Sequence, residues 1–390
     1  MKKTISILGS TGSVGLSTLN IINKKRNFFT INLLSSNGNF KHICSQIKKY
    51  KPKFFIINNK NIFEKIKRKF RSNKTIILND YKKVNIKKKN DISICAIPGI
   101  SGLEPTIKMI TKSKKVLIAN KESIVCGWEL IKKNANKNKT KIIPIDSEHF
   151  SILKLLENHK MSEIKKIFIT ASGGPFLNYK ANQFKNITPN KAIKHPKWKM
   201  GKKISVDSST MMNKILEIIE AQKLFNIPDH KIDIIIHPES LVHAIIELNN
   251  GLLKFIYHET TMTIPLVNAI FDNEIDINEF IINKKSDNNL RNLTFQKINK
   301  KVFPIINLRK KANQHPSSSI IMNASNEVLV NQFLLKKIPF LAIYKIIKTI
   351  MNDRNYIKYA IKRPKNIRQI YLIDFWARNK TLEKIKLYNV

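Results

Sequence analysis

The stretch Val206-Asp207-Ser208-Ser209-Thr210-Met211-Met212-Asn213-Lys214-Ile215-Leu216-Glu217 concentrates residue types that do chemistry. Ser208 or Ser209 suits the N-cap of a helix entered from a short strand ending in Ser-Val-Asp. Asn213 and Glu217 then stand four apart on one helical face, with Lys214 beside Asn213. Hydroxyls, an amide and an ammonium at a helix N-terminus make a phosphate cradle. A carboxylate one turn further on can hold a divalent cation near the same ligand. Taken alone, the segment is described equally well as an ordinary capped helix with a solvated charged face.

Other stretches carry complementary groups. Asp146 and Glu148 are two apart in Pro144-Ile145-Asp146-Ser147-Glu148-His149, so in an extended segment they share a face and can grip one hard cation. An exposed acidic turn is the plainer reading, but the chain has only 27 acids against 71 bases, which makes paired carboxylates at a strand end poor filler. Ala119-Asn120-Lys121-Glu122-Ser123 also follows a strand. Ser172-Gly173-Gly174-Pro175-Phe176 exposes backbone N–H groups to an anion. His195-Pro196-Lys197-Trp198-Lys199-Met200-Gly201 reads as a mobile lid with a Trp between lysines, or as a Trp packed at a domain edge. His237 and His243, six apart across a proline, do not have a metal-ligand spacing.

The elements that position these groups begin with a buried strand, Thr4–Leu8, then Gly9-Ser10-Thr11-Gly12-Ser13-Val14-Gly15 and a helix to about Asn23. Strand, glycine turn and helix is the context of a dinucleotide cradle. Strands are expected at Ile31–Ser35, Phe54–Asn58, Thr75–Leu78, Ile92–Ile97, Lys115–Ile118 and Lys141–Ile145, alternating with helices as in a doubly wound sheet. An NAD site places an acid at the end of the second strand. Here no Asp or Glu precedes Glu64, and the turn is Ser35-Ser36-Asn37-Gly38-Asn39 with Lys41 behind it. Polar donors without a carboxylate favour NADP.

Beyond about residue 150 the pattern becomes α+β. A strand is expected at Ile164–Ala171, and antiparallel strands at Ile232–Ile236, Ala244–Leu248 and Leu252–Tyr257. The last two are joined by Asn249-Asn250-Gly251. Helices are expected at Ser325–Lys336, Phe340–Asn352 and Ile367–Lys386. The chain thus reads as α/β. A Rossmann-like nucleotide domain spans 1–149 and an α+β catalytic domain 150–274, with a linker over 275–302 and a C-terminal helical domain over 303–390.

A formal charge of +44 raises nucleic-acid or anionic-membrane binding. The lysines are scattered rather than gathered on one element, and RNA-binding aromatic motifs are missing, so no specific nucleic-acid partner is expected. Cys44, Cys95 and Cys126 show no Cys-x-x-Cys spacing, which argues for a reducing, cytoplasmic setting and against structural zinc. No run approaches the length of a membrane span, and the apolar run Ile5–Leu8 after Lys2-Lys3 is a first strand rather than a signal peptide.

Together these motifs, from Ile5 to Glu327, resemble the 1-deoxy-D-xylulose 5-phosphate reductoisomerase family of the non-mevalonate isoprenoid pathway. The resemblance implies a homodimeric enzyme using NADPH and a divalent metal (magnesium, manganese or cobalt) to form 2-C-methyl-D-erythritol 4-phosphate. It implies cofactor contacts at Thr11, Gly12, Ser13, Val14, Asn37, Gly38, Asn39, Asn120, Glu122 and Gly201. It implies metal ligation by Asp146, Glu148 and Glu217, and catalysis by these together with Lys121. Lys121, Ser147 and Glu148 would meet the sugar backbone, Ser172, His195, Ser208, Asn213 and Lys214 the phosphate, and Trp198 would sit in a closing flap. The chain departs from the family pattern at Gly38, at Ile215 and across Thr261-Met262-Thr263-Ile264-Pro265. The alternative is another NADP-dependent two-domain oxidoreductase of the semialdehyde dehydrogenase type, which needs a nucleophilic Cys with a His base. Cys126 is the thiol nearest a proposed ligand loop.

Overall fold

A computed structural model describes residues 2–198, 200–272, 274–281 and 292–388. The chain forms two compact units, the first Met1–Ser123, Glu129–Phe150 and Thr261–Asn288, the second Ile124–Trp128, Ser151–Thr260 and Asn289–Val390.

The first unit holds seven strands: β1 (Lys3–Leu8), β2 (Phe29–Ser36), β3 (Phe54–Ile57), β4 (Ile76–Leu78), β5 (Asn90–Cys95), β6 (Ser113–Ile118) and β7 (Lys141–Pro144). They pair in parallel in the order β4-β3-β2-β1-β5-β6-β7. Their cores are continuous apolar runs, as strands buried on both faces require: Ile5, Ile7, Leu8, Leu33, Leu34, Phe55, Ile56, Ile92 and Ile94 are buried. The crossovers are α1 (Ser13–Lys24), α2 (Phe40–Tyr50), α3 (Lys60–Lys69), α4 (Leu103–Thr111) and α5 (Lys121–Asn138), with α6 (Ser147–Leu156) following β7. Strand order reverses at β1, so the carboxyl ends of β1 and β5 frame the crevice where such sheets bind ligands.

The second unit contains β8 (Ile164–Ala171), β9 (Ile232–Ile236), β10 (Val242–Leu248) and β11 (Leu253–Tyr257), ordered β11-β10-β8-β9. Its helices before and between these strands are α7 (Pro189–Ala192), α8 (Lys202–Thr210) and α9 (Met212–Phe225). The helix α10 (Thr263–Phe271) joins the first unit instead: Lys115 Nζ bonds Ala269 O at 2.8 Å and both Asp272 oxygens, and Phe271 meets Phe29 edge-on. Then come α11 (Arg309–Ala312), α12 (Ser318–Leu334), α13 (Phe340–Ile350), α14 (Tyr356–Ala360) and α15 (Ile367–Tyr388). Phe176, Phe184, Phe303, Phe333 and Phe340 form an aromatic cluster in which most rings meet edge to face, joining the turn after β8 to α12 and α13. Part of the expected linker, 282–291, lies outside the described residues.

Three local expectations are corrected. Ser205-Val206-Asp207 is not a strand: these residues lie inside α8, whose N-cap is Gly201. A four-residue apolar–polar alternation is too short to separate the two periods. Ser205, Ser209 and Thr210 are accommodated because each hydroxyl bonds back to a carbonyl three or four residues earlier. Asp146 and Glu148 do not share a face by strand alternation. The strand ends at Pro144, Asp146 precedes α6, and its Oδ1 accepts the Glu148 N–H at 3.3 Å in the manner of an N-cap. β9 pairs parallel with β8, while β10 runs antiparallel to both β8 and β11. Residues 172–231, with α7, α8 and α9 among them, form the crossover that parallel pairing needs.

Candidate functional site

In the first unit the glycine turn leaves β1 at Gly9, whose φ is +78° and whose added Cβ would lie 2.6 Å from Ala96 O. Only glycine lets the chain pass that close to the end of β5. The N-cap of α1 is Gly12, with no side-chain cap and no acid in the first turn. The first-turn N–H groups and the positive helix end therefore favour an anion. Behind the turn, Ser35 Oγ accepts from Gly9 N–H at 3.2 Å and from Tyr81 O–H at 2.8 Å, and Thr11 Oγ1 lies 2.7 Å from Ser36 Oγ. Burial, opposed by the Ser35 bond, pushes the Tyr81 phenol well above its usual range, so it stays a donor. Ser13 is exposed and Val14 half-buried. Asn37 is exposed and its carbonyl accepts Asn59 N–H at 3.0 Å, Gly38 packs on Asn59, and Asn39 caps α2 through His42 N–H.

At the end of β6, Asn120 Oδ1 caps α5 by accepting Ser123 N–H, while its amide bonds Ile97 O and, at 2.9 Å, Gly99 O. That fixes the buried residues Lys121 and Glu122 in the first turn. Lys121 Nζ lies 3.4 Å from Asp146 Oδ2, and His149 Nδ1 3.0 Å from Asp146 Oδ1. Ser147 O–H donates to Glu148 Oε2. The buried His149 was not singled out from sequence; its i+3 spacing from Asp146 becomes readable only once the segment is known to be a helix start.

In the second unit Met211 has φ +68° and breaks the chain into α8 and α9. The break puts Ser208, Asn213 and Lys214 around one helix junction. Asn213 donates to Glu217 Oε1, and Lys214 Nζ reaches Glu217 Oε2 at 2.6 Å. Glu217 is 1% exposed. Gly174, with φ +65°, packs against this junction: a Cβ there would come within 3.1 Å of Ser208 O. Ser172 Oγ accepts Gly174 N–H at 3.2 Å and lies 2.9 Å from His195 Nε2. His195 Nδ1 accepts Trp198 N–H at 2.9 Å and Lys197 N–H at 3.2 Å. With Nδ1 an acceptor, a neutral imidazole carries its proton on Nε2 and donates to Ser172. The Ser172 O–H is then left to donate to an anion. Trp198 is half-buried and meets His243 edge-on, at 6.1 Å between ring centres, and Gly201 is exposed. His237 is held by Thr294 O and Leu241 N–H, and His243 stacks on His258 at 3.9 Å. Cys126 lies buried within α5.

Comparison with known proteins gives one family. The model described as 1-deoxy-D-xylulose 5-phosphate reductoisomerase matches residues 5–127. Its C-terminal domain model matches 142–225, and that described as DXP reductoisomerase C-terminal domain matches 259–380. A 1-deoxy-D-xylulose 5-phosphate reductoisomerase of Pelagibacter ubique is 43% identical over 384 residues, covering 97% of this chain and 98% of that protein. One from the Wolbachia pipientis of Culex pipiens is 40% identical, with 98% of each chain covered. Among solved structures, a DOX-P reductoisomerase in complex with NADPH, fosmidomycin and magnesium is 31% identical, with TM-score 0.92 and 99% of both chains covered. The Zymomonas mobilis enzyme in complex with NADPH is 29% identical, with TM-score 0.85 and 99% of both chains covered.

Proposed function

The chain belongs to the 1-deoxy-D-xylulose 5-phosphate reductoisomerase family, and on that premise we propose how its residues divide the work of the family's reaction. That reaction rearranges and reduces 1-deoxy-D-xylulose 5-phosphate to 2-C-methyl-D-erythritol 4-phosphate, with NADPH and a divalent metal. The observation that carries it is the full-length likeness to an enzyme solved with NADPH, fosmidomycin and magnesium. The semialdehyde dehydrogenase alternative has no comparable support.

Asp146, Glu148 and Glu217 are the metal ligands in this reading. An all-carboxylate donor set of this kind suits magnesium or manganese. When bound, the metal supplies Lewis-acid polarisation of the substrate carbonyl, and NADPH supplies hydride. Lys121, held beside Asp146, donates to the oxygen on which negative charge develops. Ser147 and Glu148 orient the sugar hydroxyls. Ser172, His195, Ser208, Asn213 and Lys214 hold the phosphate, whose remote binding energy orients the reacting end. The Trp198 loop excludes water. The turn at Thr11, Gly12, Ser13 and Val14 receives the cofactor pyrophosphate. Asn37, Gly38 and Asn39 lie toward its ribose, while Asn120, Glu122 and Gly201 complete the cofactor contacts.

Along the chain this assigns nucleotide binding to 1–149, where Lys121, Asp146 and Glu148 of the catalytic set also stand, the remaining metal and substrate residues to 150–274, and a helical domain to 303–390. A homodimer is supported by the open edge of β11, where Leu252, Leu253, Phe255 and Tyr257 are exposed. A cytoplasmic location fits three free cysteines, and among the described residues no helix is long and apolar enough to cross a membrane.

The test is incubation with 1-deoxy-D-xylulose 5-phosphate, magnesium and NADPH, following nicotinamide absorbance. Oxidation of NADPH that depends on substrate and metal is expected. No oxidation, or full activity in chelator-treated protein, overturns the assignment.

A further inference from the structure

Asp207 is the one acid in α8 and is 1% exposed, directly before Ser208. A carboxylate in that position needs partners for both oxygens. Oδ2 lies 2.9 Å from Lys203 Nζ, one turn earlier on the same helix. Oδ1 accepts a 2.7 Å hydrogen bond from Asn326 Nδ2, which reaches it from α12, 119 residues later. The two partners differ in kind. Lys203 is about one-third exposed on a flexible stem, whereas Asn326 is fully buried and its amide is a directional donor. α12 itself is pinned to α15, because Arg378 bonds both Glu327 and Asp374.

The last turn of α8 depends on such lateral support. It cannot borrow rigidity from a continuous helix, because Met211 interrupts the backbone in the left-handed region. It also sets its neighbour: the Gly174 turn lies against Ser208 O and Ser209 Cα, and Gly174 N–H bonds Ser172 Oγ. A tilt of Ser208 therefore moves the Ser172 turn as well. Both hydroxyls belong to the phosphate end of the site.

We propose that Asn326 is a positioning residue for substrate phosphate recognition, acting through the Asp207 carboxylate to fix Ser208 and the Gly174 turn packed on it. The inference rests on the reading above that Ser172 and Ser208 contact the phosphate.

The experiment is steady-state kinetics of the full-length enzyme with 1-deoxy-D-xylulose 5-phosphate and NADPH, for Ser208→Ala, Asn326→Ala and the double variant. Asn326→Ala is expected to raise the KM for the sugar phosphate about tenfold and leave that for NADPH within about twofold. The double variant is expected to be impaired by clearly less than the product of the two single effects, because residues acting through one another are not additive. Multiplying effects, or both KM values rising together, overturn the proposal in favour of a general packing role. A normal substrate KM in Ser208→Ala overturns the site reading and this inference with it. An impaired Ser208→Ala beside a normal Asn326→Ala overturns this inference alone. If Asn326→Ala does not fold, Asn326→Asp decides. A carboxyl beside Asp207 keeps its proton to higher pH than usual and can donate it, so its substrate KM relative to wild type should recover as pH falls. A flat ratio overturns the proposal.

Discussion

Lys214 Nζ lies 2.6 Å from Glu217 Oε2, one turn apart on α9, with both side chains almost wholly buried. The ammonium thus serves two negative groups in the proposed mechanism, the carboxylate that holds metal and the phosphate. Buried charge pairs cost much to desolvate and are retained where both charges are needed. Lys214→Ala is expected to weaken the phosphorylated substrate by about 10- to 150-fold, the value of a charge-assisted contact of roughly 1.5–3 kcal/mol, and to leave NADPH affinity little changed. Isothermal titration of each ligand checks this. Equal weakening of both would make Lys214 a structural residue.

Trp198 follows His195 in a loop whose backbone is tied to the imidazole, and its ring rests edge-on against His243. Closure of the loop over substrate, as proposed, would change that contact. In a protein whose Trp128 and Trp376 are replaced by Phe, Trp198 fluorescence should shift on adding substrate or a phosphonate analogue. Trp198→Ala should lower kcat/KM by at least about tenfold if the loop excludes water from the reacting centre. An unchanged spectrum together with unchanged kinetics would leave Trp198 as a packed edge residue.

The strands were legible because parallel, doubly covered strands write themselves as apolar runs such as Ile5–Leu8, and the glycine turn punctuates the first of them. The i, i+4 relation of Asn213 and Glu217 was also legible, since it needs only a helix from Asn213 onward. What sequence could not supply was the break at Met211. A non-glycine residue in the left-handed region carries no compositional mark, so Val206 and Asp207 read as the end of a strand. Supports made across long separations were equally hidden. Tyr81 behind Ser35, and Asn326 on Asp207, depend on which elements pack together and not on any local spacing.

Asp91 ties the start of β1 to β5 and β6. Its Oδ2 accepts Thr4 N–H at 2.8 Å and Thr4 O–H at 2.9 Å, and its Oδ1 pairs with Lys114 at 2.8 Å. Partial burial pushes its pKa upward, but the bonds from Lys114 and Thr4 outweigh this and hold it at about 2. A carboxyl depressed below its unfolded value contributes stability at pH above about 4, and the contribution is lost as pH falls from there toward 2. Allowing for solvent screening, Asp91→Asn should cost about 1–2 kcal/mol near neutral pH. The denaturant midpoints of variant and wild type should converge as the pH approaches that of the folded-state pKa. A gap that persists undiminished in acid would mean the loss is steric.

In the proposed site, cofactor choice falls to the end of β2, where Ser36 stands in place of an acid and bonds Thr11 on the glycine turn. Nothing there repels a 2′-phosphate. Asn37 is exposed, while Gly38 offers no cation, and a side chain added at that position would press within 3.3 Å of Asn59 Cβ. Neutral donors bind phosphate more weakly than charged ones, by roughly a factor of two in strength. The surrounding excess of lysine compensates only through a field that salt screens beyond about 8–10 Å. NADPH is therefore expected to be preferred over NADH by a margin that narrows as ionic strength rises. The ratio of kcat/KM for the two cofactors across a salt series measures it. NADH equal to NADPH at low salt would overturn the preference, and a ratio insensitive to salt would assign the discrimination to the short-range contacts of Ser36, Asn37 and Asn39 alone.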